Sequence, residues 1–210
     1  MRRAERKGRP AALIFGSGYL ANIGTIPALV GRNDLVFADK LVHASIIDGI
    51  VLSRATLHRF NHNDAGHLED LMKKAASGAK RLVVTESVFS MDGDIAPLRE
   101  IADVTKRYDA MFMVDEAHST GVFGDGGAGL VRQHGLEQAV DVSMATLSKA
   151  LGGYGGFVAC APAMRDLLVN RARAFIYTTA LPPAVIGASL GALDVLSKNP
   201  LLGRELLDRA

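Results

Sequence analysis

Lys149 lies in the stretch TLSKALGGYGG, just past the apolar run 142–147, with Thr146 and Ser148 beside it. A lysine at the mouth of a sheet can be a plain surface residue. Held in a partly desolvated pocket, its amine gives up its proton more readily and becomes a carbonyl-trapping nucleophile. Asp115 ends another apolar run, MFMVD, where a carboxylate is costly unless it meets a cation or a protonated ring nitrogen. His118 follows in the same polar turn. Gly16-Ser17-Gly18 leads into a helical pattern that begins near Tyr19, so free backbone N–H groups there could hold a phosphate. Phosphate cradle, acidic partner and amine are what pyridoxal 5'-phosphate requires, and other α/β enzyme chemistries remain open at this level.

Other motifs read more plainly. Asp115-Glu116-Ala117-His118 spells a helicase DEAH box, but the phosphate loop GxxxxGK[ST] that such enzymes need does not occur. Gly124 to Gly129 matches GxGxxG by spacing without directly following a strand, and reads as an ordinary loop. His58, His62 and His67 would suit zinc on a helix. The run 56–60 reads as a strand and 61–64 as a turn, so a solvated loop is expected and no metal site. Lys73 and Lys74 are the cations of a helix C-terminus.

The elements that must position these residues alternate. Short apolar strands are expected at 35–38, 56–60, 81–85, 111–115, 142–147 and 156–160. Helices are expected at 19–30, 45–53, 68–76, 98–108, 129–134, 163–173 and 184–197. Runs such as LVVT and MFMVD are apolar throughout, as in a sheet covered on both faces, so the fold class is α/β with a mostly parallel sheet. Ligands of such sheets bind beyond the carboxyl ends of the strands, where ESVFSMDGD, DEAHSTG and SKALGGYGG fall.

The composition of the 210 residues agrees: 49% hydrophobic, 22% charged and a net charge of +2 exclude a disordered chain and offer no basic field for nucleic acid. One cysteine, Cys160, excludes a disulfide framework and fits a reducing, cytoplasmic compartment. The charge-free stretches 10–31 and 174–193 have the length of a membrane span. They carry polar residues, Gly and Pro that would break one, and read as buried helices beside loops. The basic start MRRAERKGRP reads as an exposed helix end.

SGYLAN, HAS, ESVFSMDGDIAPL, VDEAHSTGVFG, TLSKALGGYGGFVA and FIYTTALPPA occur in this order across nearly the whole chain. Together they closely resemble the α-oxoamine synthases, pyridoxal-phosphate enzymes of the aspartate-aminotransferase fold (fold type I). The resemblance implies that Lys149 forms a Schiff base with the cofactor and later shuttles the α-proton. It places Asp115 on the pyridine nitrogen, His118 on the 3-hydroxyl with Ser90 nearby, and His43 stacked on the ring face. Gly18, Tyr19 and Thr146 would hold the phosphate, and Glu86 would help order the site. Thr178 or Thr179 would reach the phosphate of a neighbouring subunit in a homodimer with shared active sites. The implied reaction is a decarboxylative condensation of L-alanine with pimeloyl-CoA or its carrier-protein equivalent. Glycine and other acyl-CoA donors are used by members that share most of these motifs.

Family members are longer at both ends. On the resemblance, residues 1–198 are the cofactor-binding large domain and 199–210 start the connection to a small domain. That small domain normally supplies the arginine gripping the amino-acid carboxylate, and without this positioning turnover would be poor or absent. A non-catalytic cofactor-binding fragment or partner subunit is the alternative of another class.

Overall fold

The computed structural model describes residues 2–75 and 78–210, so the expected helix end at Ala76 lies outside the described residues. In chain order the first elements are α1 (Arg2–Arg6), β1 (Ala11–Phe15), α2 (Gly18–Leu29), β2 (Leu35–Asp39), α3 (Ala44–Ser53), β3 (Thr56–Phe60) and α4 (Ala65–Lys74). Then follow β4 (Arg81–Glu86), α5 (Leu98–Arg107), β5 (Met111–Asp115), a 3-10 turn (Asp125–Gly127), α6 (Leu130–Gln133), β6 (Val142–Thr146) and β7 (Gly156–Cys160). Four helices close the chain: α7 (Pro162–Arg171), α8 (Arg173–Ile176), α9 (Pro183–Lys198) and α10 (Leu202–Leu207).

One seven-stranded sheet runs in the order β1-β7-β6-β5-β4-β2-β3. The five strands from β3 to β6 are mutually parallel, and β7 is antiparallel to both its neighbours. Every residue of β2, β6 and β7 is buried, which is why these strands read as mainly apolar runs. Parallel register sets Glu86 of β4 beside Asp115 of β5, both at the carboxyl edge. Phe37, Phe60, Phe89, Phe112 and Ile26 fill the core against the sheet.

Two expectations are corrected. The stretch 10–31 is not simply helix beside loop: its first part is β1, an edge strand paired antiparallel with β7 from Ala11↔Cys160 to Phe15↔Gly156. β1 buries alternate residues, as a strand with one covered face does, and the helix starts only after Ser17. The stretch 174–193 is helix beside loop as expected, α8 and α9 flanking 177–182, but it is not buried: within it only Ser189 and Leu193 are. Among the described residues no helix is long and apolar enough to cross a membrane.

The basic start is not an exposed helix end either. Ala4 and Lys7 are buried, and Lys7 Nζ lies 2.7 Å from Glu116 Oε2 and 2.6 Å from Thr120 Oγ1. Glu116 also accepts from Ser143 Oγ at 2.6 Å and from the Val131 N–H at 3.0 Å. A cation this deep is tolerated because its carboxylate partner is fully hydrogen-bonded. Gly129, the last glycine of the GxGxxG look-alike, has φ +100°, and a Cβ there would collide with the Glu116 carboxylate. The motif is a loop whose glycine makes room for an ion pair.

Candidate functional site

Four carboxyl-edge segments and the start of α2 enclose a cavity of about 210 Å³, lined among others by Gly18, Tyr19, His43, Glu86, Asp115, His118, Thr146 and Lys149. Eight of the residues expected from the sequence therefore meet in one place. Its volume is below the ~300–1,000 Å³ usual for ligand pockets, room for a ring-sized group but not for a long acyl donor as well.

Ser17 caps α2, its hydroxyl accepting from the Leu20 N–H at 3.0 Å. The N–H groups of Gly18 and Tyr19, the first two of the helix, have no acceptor within it and lie at the positive end of its dipole. The cap sits tight against β7: a Cβ on Gly156 would come within 2.6 Å of the Ser17 carbonyl oxygen. Thr146 ends β6 beside it. Its hydroxyl donates to the Gly155 carbonyl at 3.1 Å and lies 2.7 Å from Ser148 Oγ, which adds a second hydroxyl to this wall.

Asp115 is 3% exposed, and its carboxylate meets neutral donors only: Asn22 Nδ2 at 3.0 Å and the Ala117 N–H at 2.9 Å. Burial raises its pKa, and those hydrogen bonds oppose the rise. A buried carboxylate lining a cavity with no cation bonded to it is the environment that a cationic N–H would satisfy. Glu86, its neighbour on β4, is pushed up to about 8 by burial and by the Asp115 charge, and accepts the His43 N–H at 2.6 Å. Lys149 Nζ lies 2.7 Å from His118 Nε2. Burial lowers the pKa of both, and for His118 the lysine charge adds to it. Lowering in this direction makes the free amine easier to reach, although the Lys149 side chain is itself exposed at the cavity mouth.

These features fit a ring that carries a phosphate and a cationic nitrogen: N–H groups left over at a helix start, two hydroxyls beside them, a buried anion and a nearby amine. Ser90 is exposed and outside the cavity lining, and Thr178 and Thr179 line a separate hollow under β1, where Thr178 Oγ1 donates to the Ala174 carbonyl at 2.7 Å. Sequence reasoning gave no role to Asn22 or Ser45, which stand directly behind Asp115 and His43. Asn22 is an amide inside an apolar helix, a residue type that helix interiors disfavour, and that was the available signal.

The three histidines diverge. His58 stacks on Phe37, and His67 Nδ1 accepts from the Asn61 N–H at 2.9 Å. His62 is not a solvated loop residue: it bridges Asp39 Oδ1 at 3.0 Å and Asp94 Oδ2 at 2.7 Å. Among the described residues no cluster of histidine, cysteine and carboxylate side chains has a geometry suited to a metal ion.

The sequence model of the family "Aminotransferase class I and II" matches residues 3–206. The 8-amino-7-oxononanoate synthase of Geobacter metallireducens is 52% identical over 193 residues, which are 92% of this chain and 49% of that protein. The enzyme of the same name from Anaeromyxobacter dehalogenans (strain 2CP-C) is 53% identical over 95% of this chain and 50% of its own length. Among solved structures, serine palmitoyltransferase from S. paucimobilis with a bound PLP–myriocin aldimine superposes with a TM-score of 0.88 at 38% identity, covering 91% of this chain and 48% of that one. An 8-amino-7-oxononanoate synthase from Francisella tularensis gives 0.83 at 37% identity, covering 94% and 57%. The chain thus spans about half the length of the curated relatives it matches. These matches agree with the resemblance carried by the six motifs.

Proposed function

The chain belongs to the class I and II aminotransferase family, and on that premise we propose that it is the pyridoxal-phosphate-binding part of an acyltransferase of the 8-amino-7-oxononanoate synthase type. Its reaction is the condensation of L-alanine with pimeloyl-CoA, or pimeloyl carrier protein, with loss of carbon dioxide, a step of biotin biosynthesis in the cytoplasm. The observation that carries the reading is the buried Asp115 carboxylate, bonded only to neutral donors, in one cavity with the Lys149 amine.

When bound, pyridoxal phosphate supplies an aldehyde for amines and a protonated ring that withdraws electrons. The Gly18 and Tyr19 N–H groups bind the phosphate at the positive end of α2, with the Thr146 and Ser148 hydroxyls beside them. Asp115 holds the proton on the ring nitrogen, since that proton gives the buried carboxylate its cation. Lys149 Nζ would be the amine that holds the cofactor's aldehyde, and the same amine is placed to take and return a proton at the Cα of a bound amino acid. His118, within hydrogen-bond reach of Nζ, would bind the ring hydroxyl, and His43 would lie against the ring. Glu86 anchors the turn that carries His43, and Ser90 stands in the loop that follows. Residues 1–198 form this domain and 199–210 begin the connection to the next. Two copies pair, Thr178 or Thr179 of each reaching the phosphate bound by the other.

The test measures carbon dioxide release from chain loaded with pyridoxal phosphate, alone and joined to the flanking segments of a matched relative. L-alanine is paired with pimeloyl-CoA, and glycine with shorter acyl-CoA donors. Release from alanine and the pimeloyl donor is expected in the joined form. Release from glycine alone would assign the chain to a glycine-using synthase, and no release in either form contradicts the reading.

A further inference from the structure

Four side chains from three elements form a continuous hydrogen-bond chain behind the cavity. Asn22, 1% exposed on α2, donates one Nδ2 hydrogen to Asp115 Oδ2 at 3.0 Å and the other to Ser45 Oγ at 2.9 Å. Ser45 Oγ lies 2.7 Å from His43 Nδ1, and the Ser45 backbone N–H donates to the same nitrogen at 3.1 Å. The direction of every bond follows from chemistry. A carboxylate only accepts, so the Asn22 amide must turn its NH₂ to Asp115. Ser45 Oγ accepts from that NH₂, which leaves its own hydrogen for His43. A backbone N–H only donates, so His43 Nδ1 is an acceptor and holds no proton. The ring proton therefore sits on Nε2.

The cost of the arrangement points the same way. Asn22 Oδ1 is buried with no partner among the described residues, an expense that stability alone does not explain. Gly49 of α3 keeps the two helices close at this point, a Cβ there falling 3.1 Å from the Asn22 carbonyl oxygen.

We propose that Asn22 and Ser45 are positioning residues that join the Asp115 carboxylate to the His43 ring and select its Nε2–H tautomer. The ring that lines the cavity is thus a hydrogen-bond donor at Nε2, and protonating Nδ1 would set its N–H against that of Ser45. The inference deepens the proposed function, in which Asp115 and His43 act on the same bound ring.

The test begins on cofactor-free, ¹⁵N-labelled chain, by long-range ¹H–¹⁵N correlation of the His43 ring at neutral pH. A bare Nδ1 and a protonated Nε2 are expected; a protonated Nδ1 overturns the proposal. Asn22→Ala should move both the His43 nitrogen signals and the titration of the Asp115 carboxyl carbon, which rises further without its donor. Ser45→Ala should move the His43 signals, and Ser45→Thr, which keeps a hydroxyl, should restore them. A purely structural role predicts no such pairing, so an Asn22→Ala chain that keeps its fold by circular dichroism with neither signal moved also overturns the proposal. Pyridoxal phosphate should bind Asn22→Ala about tenfold or more weakly, the size of one hydrogen bond to a charged group. The spectra need no cofactor. An Nε2–H pattern in a chain that binds no pyridoxal phosphate would support the tautomer selection and count against the proposed function.

Discussion

Glu86 and Asp115 end adjacent parallel strands in matched register, so two carboxyl groups stand side by side in a buried site. With no cation between them, one is held in its neutral form: burial first, then the Asp115 charge, push Glu86 up to about 8. The sign for stability follows. A carboxyl that titrates near 4.5 when unfolded and near 8 when folded keeps its proton longer in the native state, so stability falls as pH rises through that window. One such proton gives a slope of up to about 1.4 kcal/mol per pH unit. Urea titrations of the cofactor-free chain from pH 5 to pH 8 should show this decline, and Glu86→Gln should flatten it. An unchanged slope in the variant would mean that Glu86 is ionised throughout. The same two carboxyl groups make a cationic ligand favourable here, which ties this stability penalty to the proposed chemistry.

Loops carry the site because strands end beside them, and one clasp ties three of those loops together. His62 in the β3–α4 turn bridges Asp39 at the end of β2 and Asp94 in the β4–α5 connection, with the Phe89 ring edge-on at 4.4 Å. Asn63 adds bonds to both carboxylates. Burial pulls the His62 pKa down, but its two carboxylate partners outweigh this and raise it. Its contribution is therefore complete below about 6.5, the value of an unfolded histidine, and is lost as pH rises through the higher folded value. Amide exchange of residues 90–95 should be slower at pH 6 than in a His62→Gln chain by an amount worth about 1 kcal/mol or less, since the ring is partly solvated. The difference should shrink above neutrality; protection that ignores pH would contradict the clasp.

Much at this scale is legible in the sequence. Six strands are readable in the sequence to within one residue at each end. In β2, β6 and β7 burial of every residue keeps the run mainly apolar, whereas β3, with Thr56 and Arg59 exposed, is marked by its length and the turn that follows. β1 is not readable, since AALIF merges with the start of α2 into one charge-free run and only its pairing with β7 distinguishes it. Asn22 and Ser45 are illegible for a related reason. Their meaning lies in a meeting of α2, α3 and β5, which no local pattern contains.

At the scale of the molecule, residues scattered from Gly18 to Lys149 converge because five parallel strands deliver their carboxyl ends to one edge. The far ends of the chain serve the same edge indirectly: Lys7 is drawn under the sheet to the carboxylate of Glu116, the residue after Asp115. Gly203 of α10 approaches the Val122 carbonyl so closely that a Cβ would collide with it. The assembly thus presents one prepared amine, Lys149, above one buried anion, although the chain spans about half the length of its matched relatives. Borohydride reduction of the chain with pyridoxal phosphate, followed by peptide mass spectrometry, tests that claim most directly. A single stoichiometric adduct on Lys149, lost in Lys149→Ala, is the predicted result. Adducts spread over surface lysines such as Lys73 and Lys80, with Lys149 unmodified, would contradict it.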